Sequence, residues 1–263
     1  MIGFGALLQG AETVGNGIEA DLPDTWAQGR TAYGGLSAAL CVEAARRAHP
    51  DLPPLRSAQF SFPGPASGRL RARASIVRRG RSACLMSAEL DGEAGPAVRA
   101  LLTYGGGRDS RIAHARAPMP ATPPPDGCTP FIPADMTRVG PRFAANFDLR
   151  LAAGARPLTG AAEPEVAVWV RHREAGSAAP ETALVALADA IPPAAMIQFP
   201  EPAPISTMTW TLDVLHAGDP GGWRLLRSSS EFARDGYSAQ AMAMWDEAGA
   251  LVAVGRQVVA LFV

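Results

Sequence analysis

The amino-acid sequence predicts an α+β protein made of two similar domains, each with one apolar helix enclosed by a curved antiparallel sheet. Three observations predict this fold class. A helix followed by a meander of strands occurs in both halves of the 263-residue chain. Two matching turns, around Gly80 and Gly236, lie 156 residues apart, and a proline-rich segment separates the halves. A helix that is apolar on nearly every side has to be buried on nearly every side, and a sheet wrapped around it provides that burial.

The first half begins this pattern at Gly34-Gly35, which opens an apolar run over residues 36–48. Leucines and alanines recur there at four-residue spacing, which predicts a helix. Arginines alternate with Leu or Ala over residues 69–74, so this strand is predicted to have one wet face and one buried face. Turns that contain glycine then delimit two more strands, at 83–90 and 97–104.

The second half repeats the order with a shorter helix, predicted over residues 182–191 and stopped by the two prolines that follow it. A strand with clean alternation is predicted at 205–215, and two closing strands at 239–245 and 250–261. The alternation assigns Met208, Trp210, Leu212 and Val214 to one face of the first of these strands, and Thr207, Thr209, Thr211 and Asp213 to the other.

Residues 108–142 differ in composition from both halves. Prolines cluster between 118 and 125 and again between 130 and 141. Because proline cannot continue a helix interior or a central strand, this stretch predicts an extended linker. The predicted domains are therefore 1–107 and 143–263, with the linker between them.

The composition excludes several classes of protein. The formal net charge is −1 and the basic residues are spread along the chain, unlike a nucleic-acid-binding surface. All 24 basic residues are arginine, so no lysine is present for a phosphate loop or a Schiff base. Three scattered cysteines, Cys41, Cys84 and Cys128, favour neither a disulfide framework nor a metal site. With no long apolar run and no signal peptide, we expect no membrane span and a cytoplasmic location.

Three polar residues of the second half stand out against their surroundings. Asp189 is the only charged residue between 182 and 199, and it lies near a helix C-terminus, where the helix dipole disfavours negative charge. It either caps the following turn or belongs to a working site, and we favour the second because perturbed carboxylates collect at such sites. Gln257 falls on the small, apolar face of the last strand, where its amide either needs buried partners or reaches solvent at an edge. Thr207 is by pattern alone an ordinary strand residue.

The order of several short motifs carries a resemblance to a known family. The motifs of the first half are QGRTAYGG at 28–35, LRS at 55–57, FSFPGP at 60–65 and RGRS at 79–82. Those of the second half are LAD at 187–189, STMTW at 206–210 and RQ at 256–257. In this order they resemble the double-hotdog acyl-CoA thioesterases of the bacterial thioesterase II type. The resemblance implies a tandem (double) hotdog fold over nearly the whole chain.

The resemblance also implies a site. Members of that family hold the hydrolytic water with an Asp, a Thr or Ser, and a Gln, and these roles fall on Asp189, Thr207 and Gln257. Relatives often carry a more polar segment after the threonine than Met208 and its neighbours, so Thr209 is a same-face substitute for Thr207. The implied substrate is an acyl-CoA thioester, with no separate cofactor because CoA is part of the substrate. Association of double-hotdog chains into homo-oligomers follows from the same analogy.

Gly34 and Gly35 are the candidates for the group that stabilises the oxyanion. The start of a helix offers free N–H groups, and glycine allows a close approach of the backbone. The pair also fits a plain turn before a helix equally well. Two other functions stay open: a hotdog protein that binds acyl-CoA without catalysis, and a hotdog enoyl-CoA hydratase or dehydratase. The second would use a histidine with an acidic partner, and none of the four histidines lies beside Asp189 in such a pattern.

Overall fold

The computed structural model describes residues 2–133, 136 and 140–263, and its helices and strands follow the two halves of the sequence. The elements of the first half are α1 Phe4–Gly10, β1 Glu12–Val14, β2 Gly17–Asp21, β3 Ala27–Gln28, β4 Thr31–Ala32, α2 Gly34–Ala48, β5 Leu55–Ser61, β6 Arg69–Arg79, β7 Ala83–Gly92 and β8 Gly95–Gly105. Those of the second half are β9 Thr129–Pro130, β10 Phe147–Gly154, β11 Glu165–His172, α3 Pro180–Ala188, β12 Ile205–Val214, β13 Arg224–Arg234, β14 Tyr237–Asp246 and β15 Leu251–Leu261.

One antiparallel sheet runs through both halves. Within the described residues it has thirteen strands in the order β1-β2-β6-β7-β8-β5-β12-β15-β14-β13-β11-β10-β9. The halves meet where β5 pairs with β12, with Phe60 opposite Trp210. On either side of this junction the strands follow the same order, so β8 and β7 correspond to β15 and β14. The predicted α+β class with a repeated helix and meander is confirmed.

The two longest helices pack against each other inside the sheet. Most residues of α2 are buried, and their side chains are mainly Ala and Leu, which lets the sheet approach closely. The hydroxyl of Tyr33, just before α2, donates to the carbonyl of Ala186 in α3 at 2.5 Å. The Tyr33 ring stacks on Phe143, with 4.1 Å between ring centroids. Two helices from different halves are thus fixed to each other at the start of α2. No helix in the described residues has the length and apolarity to cross a bilayer.

The structure differs from the sequence-based prediction in several elements. Helix α3 spans Pro180–Ala188, not 182–191, because proline is accepted in the first turn of a helix while Pro192 would clash with the carbonyl four residues earlier. Within the predicted linker, β9 pairs with β10 at the edge of the sheet. Helix α1 and the strands β1 to β5, β10, β11 and β13 were not predicted. Linker residues 134, 135 and 137–139 lie outside the described residues, and the domain boundaries stay a prediction.

The arginine alternation is confirmed in β6. Leu70, Ala72 and Ala74 are buried, whereas Arg71 and Arg73 are exposed. The arginines pair across the strands with acidic residues, for example Arg73 with Asp91 at 3.0 Å. The outer face of β6 is therefore charged at these positions, and its inner face packs against α2.

Candidate functional site

Asp189 lies where the two central helices meet. It directly follows Ala188, the last residue of α3, and its carboxylate faces the first turn of α2. Nε2 of Gln257 donates to its Oδ1 at 2.7 Å, and the backbone N–H of Gly35 also donates to the carboxylate. Its Oδ2 faces Gly34, where a methyl group would lie only 2.7 Å away. The carboxylate therefore reaches across to the other half of the molecule instead of capping the turn that follows α3.

The pKa of Asp189 is raised to about 7, because burial penalises its charged form. Hydrogen bonds from Gln257 and from the Gly35 N–H lower this pKa, but by less than burial raises it. The groups that shift its pKa include no arginine or histidine. The residue as a whole keeps partial contact with solvent. A carboxyl group with these properties is able both to accept and to return a proton near neutral pH.

The glycine pair at the start of α2 is required by close contacts. A side chain at Gly35 would lie 2.5 Å from the Tyr33 hydroxyl and 2.6 Å from the carbonyl oxygen of Ala186, so only glycine fits between the helices. Gly34 is partly exposed and borders Asp189, and a methyl group there would also lie 3.9 Å from the Phe62 ring. The helix start thus presents its positive end to the carboxylate, without side chains in between.

Gln257 is buried, 3% exposed, and faces the interior from β15. Its amide makes two hydrogen bonds: Nε2 donates to Asp189, and Oε1 accepts from Nε2 of Gln240 at 2.6 Å. Of the two positions that the sequence left open for Gln257, the structure has the buried one. Gln240 was not singled out from the sequence. The available signal was that Gln240 lies two residues before Met242, on the same apolar face of β14.

Thr207 shares the inner face with Gln257, which the alternation pattern did not predict. Thr207 lies opposite Val259, whereas Thr209 lies opposite Val258, so the pairing of β12 with β15 shifts by one residue at Met208. This β-bulge places one extra residue in β12 and reverses the alternation beyond it. Thr207 is therefore on the same face as Trp210, and Met208 is exposed. The prediction that these threonines share a face is wrong, and Thr209, exposed on the outer face, is no substitute for Thr207.

The structure thus brings Asp189, Gln257 and the glycine pair into contact, and places Thr207 on the strand face that carries Gln257. The arrangement combines a carboxylate of raised pKa, a neutral amide donor and a helix N-terminus. In the part of the chain that the structure describes, no three His, Cys, Asp or Glu side chains come together as metal ligands.

Comparisons with known protein families bear on both halves. Residues 22–105 match the family model for the acyl-CoA thioesterase N-terminal domain, and residues 119–261 match the model for the acyl-CoA thioesterase C-terminal domain. No curated protein matches the sequence.

Solved structures with the same fold cover nearly the whole chain. A protein of unknown function with a hot dog fold from Alicyclobacillus acidocaldarius is 22% identical, with a TM-score of 0.84 over 98% of this chain and 97% of that one. The tesB protein of Mycobacterium avium subspecies paratuberculosis is 15% identical, with a TM-score of 0.78 over 97% of each chain. An acyl-CoA thioesterase II from Mycobacterium marinum is 19% identical, with a TM-score of 0.74 over 97% and 96%. At these identities the similarity shows the fold, and the predicted double hotdog is confirmed.

Proposed function

Because the chain belongs to the acyl-CoA thioesterase family, we propose that it hydrolyses an acyl-CoA thioester to the free acid and CoA, with Asp189 as the general base. One observation carries the proposal: Asp189 is only partly buried as a residue, its carboxylate is held between the two halves by neutral donors, and burial of the charged group raises its pKa to about 7. A structural carboxylate at such a place would normally be paired with a cation or fully satisfied by the backbone.

The proposed chemistry gives the two oxygens of the Asp189 carboxylate different roles. Asp189 accepts a proton from water while the water oxygen attacks the thioester carbonyl carbon. The tetrahedral intermediate then collapses, the C–S bond breaks, and the CoA sulfur takes the proton back from the carboxyl group. Oδ1 is held by Gln257, so Oδ2, beside Gly34, is the oxygen we assign to the water. Glycine leaves the space for that water next to Oδ2.

Three further groups support this step. Gln257 orients the carboxylate, and the Thr207 hydroxyl is the second group that we assign to holding the water. The Gly35 N–H already donates to Asp189, which leaves the Gly34 N–H and the positive end of α2 to stabilise the oxyanion. These roles require no cofactor, since CoA belongs to the substrate.

The alternative functions have less support from the site. A hydratase or dehydratase needs a histidine near the acid, yet His172 is buried, stacks on Phe4 and contacts the Ala183 carbonyl through Nε2. Its pKa is lowered to about 4 by burial, which suits a structural role. A protein that only binds acyl-CoA would have no use for a carboxylate of raised pKa between the two helices.

The test is release of free CoA thiol by the purified chain from a panel of acyl-CoA thioesters, short, long and branched. We expect turnover with kcat/KM falling below pH 7 as Asp189 is protonated. Asp189→Asn should lower kcat by about a thousandfold with an unchanged circular dichroism spectrum, because the asparagine amide cannot accept a proton from water.

Two outcomes would contradict the proposal. An Asp189→Asn variant that turns over at the wild-type rate would remove Asp189 from the chemistry. Tight binding of acyl-CoA by the wild type without any release of CoA would favour the non-catalytic function.

A further inference from the structure

A second glutamine stands directly behind the first. Gln240 on β14 is opposite Gln257 on β15, and both side chains face the interior, 2% and 3% exposed. Nε2 of Gln240 donates to Oε1 of Gln257 at 2.6 Å. Oε1 of Gln240 accepts from the backbone N–H of Ala194 at 3.0 Å. We call the series Ala194 N–H, Gln240, Gln257 and Asp189 the amide chain.

The amide chain has only one possible direction. The N–H of Ala194 is able only to donate, so it fixes Oε1 as the end of the Gln240 amide that it meets. The other end, Nε2, then faces Gln257, whose oxygen is the atom that accepts from it. Gln257 is left with its own Nε2 toward Asp189. The backbone N–H of Ala194 thus determines, through the side chains of Gln240 and Gln257, that an N–H group faces the Asp189 carboxylate.

A reversed Gln257 amide would be costly at this site. It would place a carbonyl oxygen against Oδ1 of Asp189 and an NH₂ group against Nε2 of Gln240. Each contact would then lack a hydrogen bond, and both glutamines are buried away from water that would replace it. Without Gln240, only the contact with Asp189 would hold the amide in its present orientation.

The first half shows that the fold itself does not need this polar pair. At the centre of the sheet Trp210 lies opposite Phe60, and the strand neighbours of these two residues are Gln257 and Ala100. Ala100 in turn lies opposite Ala88, as Gln257 lies opposite Gln240. Two buried alanines therefore occupy the corresponding positions in a half that forms the same sheet. The buried glutamine pair of the second half is therefore not required to form the sheet, and we look for its role at the site.

We propose that Gln240 is a positioning residue for hydrolysis, which keeps the amide of Gln257 turned so that its N–H stabilises and orients the Asp189 carboxylate. This proposal rests on the proposed function. Gln240 touches neither the reacting atoms nor Asp189, and it acts only through Gln257. The two prolines before Ala194 fit the same arrangement, because they lack N–H groups and make Ala194 the first donor in that turn.

The test is Gln240→Met, which keeps the length of the side chain and removes both hydrogen bonds. We expect kcat to fall about tenfold with KM changed less than about twofold, because the substrate does not contact Gln240. The acidic limb of the pH profile of kcat/KM should move upward, since the ionised carboxylate loses a well-oriented donor. Met244→Leu is the matched control on the same strand and the same buried face, and it should leave both quantities unchanged.

A double-mutant cycle separates positioning from a general effect on folding. In a Gln257→Leu background, adding Gln240→Met should change kcat less than about twofold, because the residue through which Gln240 acts is absent. An equal loss of kcat in both backgrounds, or a Gln240→Met variant with wild-type kcat and wild-type pH profile, would overturn the proposal.

A measurement that does not use activity distinguishes this proposal from the proposed function. A wild type that releases no CoA contradicts the proposed function. The pKa of Asp189, followed by NMR of ¹³C-labelled carboxyl groups, still reports on the amide chain in that case. A higher pKa in Gln240→Met than in the wild type supports the orientation of Gln257 by Gln240, and an unchanged pKa contradicts it.

Discussion

Glu43 in the first half and Asp189 in the second occupy equivalent places in the repeated fold. Each lies nine residues after the first residue of its helix, and each contacts the first turn of the opposite helix. Glu43 accepts from the hydroxyl of Thr182 in α3 at 3.1 Å, and Asp189 meets the N–H of Gly35 in α2. The same position, counted from the start of the helix, thus holds a carboxylate in both halves.

The surroundings of the two carboxylates differ in charge. Arg47 donates to Glu43 at 2.9 Å from the next turn of the same helix, and Arg46 approaches to 3.9 Å. The partner of Asp189 is the neutral side chain of Gln257 instead of an arginine. In the first half, alanines 88 and 100 occupy the positions of the two glutamines, so no amide is present there to donate to Glu43. The ion pair with Arg47 ties Glu43 to its own helix, whereas Asp189 has neutral partners and a raised pKa, which leave it able to exchange a proton near neutral pH.

Under the proposed function the second half is the catalytic half, and the comparison indicates which contacts distinguish it from the first half. The packing of the two helices against each other places one carboxylate in each half, Glu43 and Asp189, against the first turn of the opposite helix. The partner that compensates it then decides between a structural group and a chemical one. Three predictions test whether the partner, and not the position, makes this distinction.

The largest expected effect is that Asp189 makes the stability of the protein depend on pH. Its pKa is raised to about 7 in the folded protein and returns to about 3.9 in the unfolded chain. Between these values the folded state holds a proton that the unfolded state releases, so the stability from this group is present below pH 4 and is lost as the pH rises to 7. Asp189→Asn does not titrate. Its free energy of unfolding should therefore rise by about 2–3 kcal/mol relative to the wild type between pH 5 and pH 8.

Urea unfolding of both proteins across that pH range measures the difference. Gly10→Ala, an exposed site where a methyl group meets nothing within 4 Å, is the control whose difference from the wild type should not depend on pH. A constant difference between Asp189→Asn and the wild type would mean that the carboxylate has an ordinary pKa.

The second effect concerns Glu43. Glu43→Gln should lower the free energy of unfolding by about 2 kcal/mol, because Arg47 loses its charged partner in a mostly buried place. The kcat for acyl-CoA should change less than about twofold, since Glu43 is assigned no part in the chemistry. Thermal unfolding and CoA release on the same preparation check both. A loss of kcat comparable with that of Asp189→Asn would show that the first half also contributes a base.

The smallest effect concerns the space beside Asp189. The first residue of α2 is Gly34, whereas the first residue of α3 is Pro180. Gly34→Ala should lower kcat about tenfold, because its methyl group would lie 2.7 Å from Oδ2 and displace the carboxylate or the water. The free energy of unfolding should change by less than about 1 kcal/mol, since the preference of a helix for alanine over glycine offsets part of the cost of this displacement. Full activity in Gly34→Ala would contradict the assignment of Oδ2 to the water.

The sequence was most informative where a residue contradicts its own local pattern. Asp189 stood out as a single charge in an apolar run, and Gln257 as an amide on an apolar strand face. The alternation in β6 predicted its inner and outer residues correctly. In each case the burial of a whole element already implies the environment of the residue, so a local pattern is sufficient.

The sequence failed where one residue changes the register. The β-bulge at Met208 moved Thr207 to the inner face, and nothing in the threonine alternation marks the bulge. Gln240 was missed for a related reason. A single glutamine among apolar residues does not indicate a site until pairing places it opposite Gln257 on the next strand. Pairing between strands depends on contacts distant in the chain, which a single-strand pattern does not contain.

By itself the sequence determined the two-part α+β fold, the apolar helices and the presence of a carboxylate at the end of α3, because these follow from periodicity and from helix-ending prolines. Only the tertiary structure decided which partners that carboxylate has: Gln257 from the last strand, Gly35 from the other half, and the Gln240 amide behind them. The physical reason is that the pKa and orientation of a buried acid are set by atoms within a few ångströms in space, and these come from three separate parts of the chain.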